Sequence, residues 1–350
     1  MTASGGLPMV SVVIPARNEA DWIERCLATI FAQDYPADRM EVVVVDGMSD
    51  DGSYETLQRM AAEDPRLRVL QNPARIVPSS MNIAIAAARG DIVARVDAHT
   101  LIDPDYISCG VTVLTRTGAD NVGGPMVKLG GGDVGDAIAA AMSSRFGVGS
   151  YFQFGEDERE ADTVYMGMWP RTVFERIGLF DEELVRNQDD ELNYRLRKHG
   201  GRIVMSPSMK SLYQNRQSWR KLVKQFYEYG LWKTRVLQKH PGQMSWRHYV
   251  PPMFDLAVLA GLASAPLSPI GPLLSVGAIC AYSLVIAAVA ARLADGVGAR
   301  ARLWLAFACI HHAWGTGFLV GMVRFARRWF NAERPAKQLA TKSVATATRR

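Results

Sequence analysis

Two valine-rich runs, MVSVVI at 9–14 and EVVVVD at 41–46, set the tightest limit on what this chain can fold into. Neither alternates apolar with polar residues, so each must bury both faces, as strands do in a parallel sheet covered by helices on both sides. The segments 22–32, 54–62 and 79–88 carry apolar residues at helical spacing and supply those helices. Further strands are expected at 68–70 and 92–97. This βαβα order predicts an α/β domain with a mainly parallel central sheet. Ligands of such sheets bind outside the carboxyl ends of the strands, and three polar loops fall at that edge. They are Pro15 to Glu19, Asp46 to Gly52 and Asp97-Ala98-His99.

The rest of the 350 residues is of a different character. Apolar residues thicken sharply after Pro251, and the net charge of +5 is local. From Arg197 to Arg247 there are twelve Lys or Arg residues against the single acid Glu228. A basic surface followed by apolar segments favours anionic lipid and diphosphate partners, and no nucleic acid is expected because no zinc-finger or helix-turn-helix signature accompanies it. Trp219, Phe226, Tyr227, Tyr229 and Trp232, mixed with Lys221, Lys224 and Lys233, suit a membrane interface, or else a core helix with a solvated basic face. Residues 271–291 and 303–323 are uncharged and long enough to span. Asp255, Pro266 and Pro269 leave 252–270 open between a third span, a re-entrant hairpin and an interfacial helix. His311 and His312 would meet lipid phosphate, Asp255, or ordinary interior partners.

The domain expectation is therefore 1–216 as the α/β domain, 217–250 as an interfacial helical segment, 251–323 as a membrane region with two or three apolar segments, and 324–350 as a basic tail. Residues 324–350 carry eight Lys or Arg and one acid, against three basic residues in 292–302, so the tail is expected in the cytoplasm after an even number of crossings. No basic-then-apolar leader opens the sequence, so the α/β domain is expected on the same side of the plasma membrane. Cys26, Cys109, Cys280 and Cys309 show no paired spacing and imply no disulfide framework.

The segments VSVVIPARNE, VVVVDGMSDDGS, RVDAHT and NQDDELNYRL, in that order, resemble family 2 glycosyltransferases of the GT-A fold over about residues 9–240. IVPSSMNIAIAAARGDIVARVDAHT followed by DPDYI is similar to the succinoglycan-biosynthesis branch of that family. The resemblance implies a nucleotide-sugar donor, a UDP-hexose such as UDP-glucose, and a polyprenyl-diphosphate-linked saccharide acceptor in exopolysaccharide or envelope glycan synthesis. Direct transfer to polyprenyl phosphate is the alternative within the enzyme class, and a catalytically silent nucleotide-sugar-binding scaffold is the alternative outside it.

By the same resemblance, Asp46 accepts from the base, Pro15, Arg17 and Glu19 line the nucleotide pocket, and Arg75 reaches toward the donor. The competing readings are an Asx-type turn between Asp46 and Ser49 and a solvated Arg75. Asp97 and His99 occupy the DxD position that holds a divalent ion on the diphosphate. Oxygen ligands suit Mg²⁺ and an imidazole shifts preference toward Mn²⁺, unless His99 only orients Asp97 from behind.

Asp189 falls where the family has its general base, the alternative being a helix cap. Arg195 and Arg216 are expected to bind substrate, Arg216 at the leaving diphosphate. Gln188 stands where the family commonly has Glu. Met166 to Trp169 precede a helix that contacts acceptors in the family, with core packing as the equal alternative. The processive Gln-x-x-Arg-Trp order is lacking, so transfer of one sugar at a time is expected.

Overall fold

The computed structural model describes residues 6–148, 157–214 and 217–330, which leaves Arg216 and the tail beyond residue 330 outside the described residues. The chain divides into two compact units. One comprises residues up to 127 and 151–213, the other residues 128–150 and 214–333.

The first unit opens as expected. β1 (Val10–Ala16), α1 (Ile23–Phe31), β2 (Met40–Asp46), α2 (Ser53–Glu63), β3 (Leu67–Gln71), α3 (Val77–Ala87) and β4 (Ile92–Arg95) follow one another in βα alternation. β3, β2, β1 and β4 lie side by side, all parallel. The valine runs are buried on both faces because successive side chains serve different layers. Val12, Ile14, Val42 and Val44 pack with Ile23, Leu27 and Ile30 of α1, while Val13, Val43 and Val45 pack with Met81 and Ile85 of α3.

After β4 come β5 (Thr100–Ile102), α4 (Tyr106–Thr117), β6 (Asn121–Gly124) and β7 (Met126–Leu129), then α5 (Gly132–Ser143). β8 (Arg159–Glu160), β9 (Tyr165–Pro170), α6 (Thr172–Ile177), α7 (Gln188–Lys198), β10 (Ile203–Met205) and β11 (Ser211–Gln214) complete the α/β part. The eight-stranded sheet has the order β3-β2-β1-β4-β9-β6-β10-β8, with β9 inserted antiparallel between β4 and β6. β9 kinks where Met166 and Gly167 adopt left-handed φ of 61° and 90°, and its register against β6 shifts there. Met166, Met168 and Trp169 are buried, so this segment is core.

The second unit contains α5, α8 (Trp219–Lys239), α9 (Val250–Ala263), α10 (Ile270–Leu293) and α11 (Val297–Arg324). α8 and α11 run side by side in the same direction. Tyr227 and Gly230 meet Gly317 and Trp314, Leu231 and Thr234 meet Gly321, and Gln238 Nε2 donates to Phe325 O at 2.8 Å. A Cβ at Gly230, Gly317 or Gly321 would strike the backbone of the facing helix, so glycine sets this close approach. Lys233 and Arg235, in the segment read as a basic interfacial face, are buried. α10 and α11, of 24 and 28 residues, are long and apolar enough to cross a membrane. α9, with 14 residues, is about 21 Å long at 1.5 Å per residue, short of a bilayer's hydrocarbon core of about 30 Å.

Candidate active site

The loops that follow β1 and β2 are tied into one surface. Asn18 and Met48 both adopt left-handed φ, 55° and 58°, which turns the chain sharply as it leaves each strand. Asn18 N donates to Ser49 Oγ at 2.9 Å, Asn18 Nδ2 to Asp50 Oδ1 at 2.8 Å, and Glu19 N to Ser53 Oγ at 2.8 Å. Asp46 is buried at the base of this surface, where its carboxylate accepts from Ser49 N at 3.1 Å and from Ser49 Oγ at 2.5 Å. The Asx-type turn is thus present. A base contact by Asp46 would have to use its remaining lone pairs.

Arg17 is exposed beside Gly47, and Pro15 is the last residue but one of β1. Arg75 is exposed with φ of 60°. Its loop is held by Asn72, which bonds Ala74 N at 3.0 Å, Ile76 O at 3.0 Å and Ser80 Oγ at 2.9 Å. A non-glycine residue kept in that conformation needs such a frame.

The end of β4 carries the strongest electrostatics. Asp97 Oδ1 accepts from Arg95 Nε at 2.8 Å, and both side chains are largely buried, 15% and 9% exposed. Burial alone would raise the carboxyl's pKa, but the Arg95 guanidinium, His99 and a hydrogen bond from Tyr165 outweigh it and hold Asp97 below its ordinary value. Tyr165 OH also lies 2.7 Å from Thr100 Oγ1. β5 pairs antiparallel with β11, setting Tyr213 opposite Thr100. This packs the Tyr213 ring edge-on against His99, with centroids 5.2 Å apart, and against Tyr165 at 5.9 Å. His99 Nδ1 lies 2.9 Å from Glu19 Oε1. Glu19, expected in the nucleotide pocket, thus holds the ring of His99 through Nδ1 and leaves Nε2 as its other nitrogen.

Asp189 sits in the first turn of α7, after Asn187 with φ of 60°. α7 is braced from behind. Asn193 accepts from Asn121 Nδ2 at 2.8 Å and donates to Thr163 Oγ1 at 2.7 Å, and Leu192 and Leu196 enter the core below the sheet. The half-buried Asp189 carboxylate accepts from Asp190 N through Oδ1 at 3.0 Å. Its pKa is raised, first by burial and then by the Asp190 charge, with Arg95 pulling the other way. Arg95 therefore interacts with both Asp97 and Asp189, and the two carboxyls share one electrostatic neighbourhood with opposite shifts.

Arg195, expected to bind substrate, has its guanidinium engaged within the fold. Its Nε and Nη2 grip both oxygens of Glu191 at 2.9 Å, Nη2 donates to Leu179 O at 2.8 Å and Nη1 to Ile177 O. The side chain is 8% exposed, and this fork is spent on joining α7 to the segment after α6 instead of on a ligand. Arg95 and Tyr165, conversely, escaped the sequence reading. The signal for Arg95 was a charge two residues before Asp97, hence on the same side of an otherwise apolar strand.

No group of three or more His, Cys, Asp or Glu side chains forms a ready metal cage among the described residues. What the site offers is Asp97 and the Nε2 of His99. Such a sparse donor set fits a divalent ion that takes its remaining ligands from water and substrate phosphate.

The Glycosyl transferase family 2 profile matches residues 11–176. The succinoglycan biosynthesis protein ExoA of Rhizobium meliloti (strain 1021) is 32% identical over 334 residues, covering 91% of this chain and 96% of that protein. A dolichyl N-acetyl-α-D-glucosaminyl phosphate 3-β-D-2,3-diacetamido-2,3-dideoxy-β-D-glucuronosyltransferase of Methanococcus voltae is 26% identical, covering 68% and 76%. Among solved structures, the mannosyltransferase PcManGT of Pyrobaculum calidifontis, determined with GDP-Man and Mn²⁺, superposes with a TM-score of 0.59 at 21% identity, covering 89% and 88% of the two chains. S. aureus TarS 1-349 with UDP-GlcNAc gives 0.52 at 18% identity, covering 91% and 92%. The strand-end site, the GT-A-like α/β fold and the nearly full-length relative agree: this chain belongs to glycosyltransferase family 2, whose members serve in glycan and polysaccharide synthesis.

Proposed function

We propose that this glycosyltransferase moves a hexose, one residue at a time and with inversion, from a nucleoside-diphosphate sugar such as UDP-glucose to a polyprenyl-diphosphate-linked saccharide at a membrane surface. The observation that carries the reading is the opposite tuning of Asp189 and Asp97 around Arg95. Asp189, whose pKa burial and the Asp190 charge raise, takes the proton of the acceptor hydroxyl. The hydroxyl oxygen bonds to the anomeric carbon as the carbon–oxygen bond to the diphosphate breaks, and the electron pair leaves with the nucleoside diphosphate. Asp97, kept ionised by Arg95, would hold Mn²⁺ or Mg²⁺ together with His99. Such an ion would neutralise charge gathering on the diphosphate. Pro15, Arg17 and Asp46, at the ends of β1 and β2, and Arg75, after β3, would frame the nucleotide. The likeness to the succinoglycan biosynthesis protein ExoA supports a place in exopolysaccharide synthesis, and that to the dolichyl-phosphate-linked sugar transferase supports a lipid-linked acceptor.

The test is nucleotide release by detergent-purified protein from a panel of nucleotide sugars with Mn²⁺ or Mg²⁺, with and without membrane lipid extract. Release with one donor that depends on the extract is expected. Donor binding without release under any condition would favour the silent scaffold.

A further inference from the structure

The two long apolar helices of the second unit have unlike surroundings. α11 has other helices packed along one side. Near its start, Arg302 pairs with Asp133 at 3.0 Å and Phe307 packs with Ile138 and Ala141 of α5. Further on, α8 lies against it through Gly230, Gly317 and Gly321. These covering helices carry exposed charge, namely Asp133 on α5 and Arg220, Lys221 and Lys224 on α8. Charged helices of this kind are costly to place in hydrocarbon, which argues against α11, packed lengthwise against them, running across a bilayer.

α9 and the first half of α10 are the opposite case. They form an antiparallel hairpin in which Ser275 Oγ donates to Val258 O at 3.1 Å and Gly261 meets Gly271. Leu256, Leu259, Ile270, Leu273 and Leu274 are 47–72% exposed, and Leu267 at the turn is 89% exposed. No Asp, Glu, Lys, Arg or His occurs from Leu256 to Ala291. A turn in water would carry charged or strongly polar residues, and this one does not.

Its backbone is also closed on itself. Ser264 N donates to Ala260 O at 3.1 Å, Ala265 N to Leu262 O at 3.2 Å, Leu267 N to Ser264 O at 2.8 Å and Ser268 N to Ser264 O at 3.0 Å. Ile270 N donates to Ser268 Oγ at 3.2 Å, and Pro266 and Pro269 have no N–H. Every backbone donor from Ser264 to Ile270 is thus bonded within the hairpin or absent, as surroundings without water demand. Trp246, 75% exposed, with Arg247 and Tyr249 precedes α9, and Arg292 ends the uncharged stretch of α10. Such aromatic and basic residues flank segments that enter lipid.

We propose that α9 and α10 form a re-entrant hairpin that dips into a lipid bilayer without crossing it and returns to the face it entered, with α11 lying along the surface. The 14 residues of α9, about 21 Å, reach beyond the middle of a core of about 30 Å without crossing it. Neither apolar helix then spans, in contrast to the two crossings expected from hydropathy.

The test uses the full chain in sealed vesicles of both orientations and a membrane-impermeant maleimide read by peptide mass spectrometry. With the four native cysteines replaced by alanine, single cysteines are placed at Leu267→Cys, at Asp295→Cys between α10 and α11, and at the exposed Asp38→Cys of the α/β unit as a marker of side. Asp295→Cys should label in the same vesicle orientation as Asp38→Cys, and Leu267→Cys in neither until detergent is added. Wild-type chain gives a second reading that needs no substitution: native Cys280, exposed on α10, should likewise react only in detergent. Labelling of Asp295→Cys in the opposite orientation, or of Leu267→Cys or Cys280 in sealed vesicles, would overturn the proposal.

Discussion

Asp189→Asn should lower turnover by about 10²- to 10⁴-fold, the usual contribution of a positioned general base, while affinity for the nucleoside diphosphate stays near that of the parent. The amide keeps the size of the side chain and an oxygen for the Asp190 N–H, so α7 should start as before. What it loses is the ability to take a proton. A purely capping role predicts the reverse outcome, because asparagine caps helices about as well as aspartate and turnover would be unchanged. Asp190→Asn is the control. It removes the neighbouring charge that helps raise the Asp189 pKa, so the acidic limb of the pH–rate profile should move to lower pH with activity largely kept. A dead Asp190→Asn enzyme beside an active Asp189→Asn enzyme would place the base one residue later.

Asp97→Asn should weaken nucleoside-diphosphate binding in Mn²⁺ by more than tenfold and leave the weak binding seen in chelator almost unchanged. Asparagine is preferred to alanine here for a structural reason. Arg95 is 7% exposed and bonded to Asp97, and stripping a buried ion pair of one partner costs about 3–5 kcal/mol in folding. The amide oxygen still accepts from the guanidinium but is a poorer metal ligand. Glu19→Gln offers a graded companion. If Glu19 acts by orienting His99, it should reduce metal affinity by about 10- to 100-fold, as loss of such an outer partner does. Equal metal-dependent affinity in Asp97→Asn and parent protein would remove Asp97 from the ion's ligands.

The first half of the α/β unit was legible because its strands are buried on both faces and its helices alternate with them. The limits of β2 and α3, for instance, fall within two residues of the sequence reading. Past β4 legibility drops. β9 enters the sheet between β4 and β6 from more than forty residues further along the chain, and no local pattern records such a pairing. Within the site, Asp97, His99 and Asp189 could be read from short motifs, because each stands at the end of a strand or the start of a helix.

Their partners could not be read in this way. Glu19 and His99 are 80 residues apart in sequence yet 2.9 Å apart in space. Arg95 reads as an oddity in an apolar strand until Asp97 and Asp189 are placed around it. The pairing of Arg195 with Glu191, four residues back, was not read from the motif either. The packing of the apolar C-terminal helices was likewise not legible. Hydropathy measures whether a helix tolerates lipid, and only packing shows that α11 has charged helices along its side.

The central claim is a single in-line displacement driven by Asp189, and the anomeric configuration of the product tests it most directly. With whichever nucleotide sugar supports release, the new glycosidic bond should be examined by the one-bond C1–H1 coupling in the NMR spectrum of the isolated product. An α-linked donor should yield a β-linked product, since the acceptor oxygen attacks the face opposite the leaving diphosphate. A product that keeps the donor's configuration would require a different course of reaction and would contradict the role assigned to Asp189.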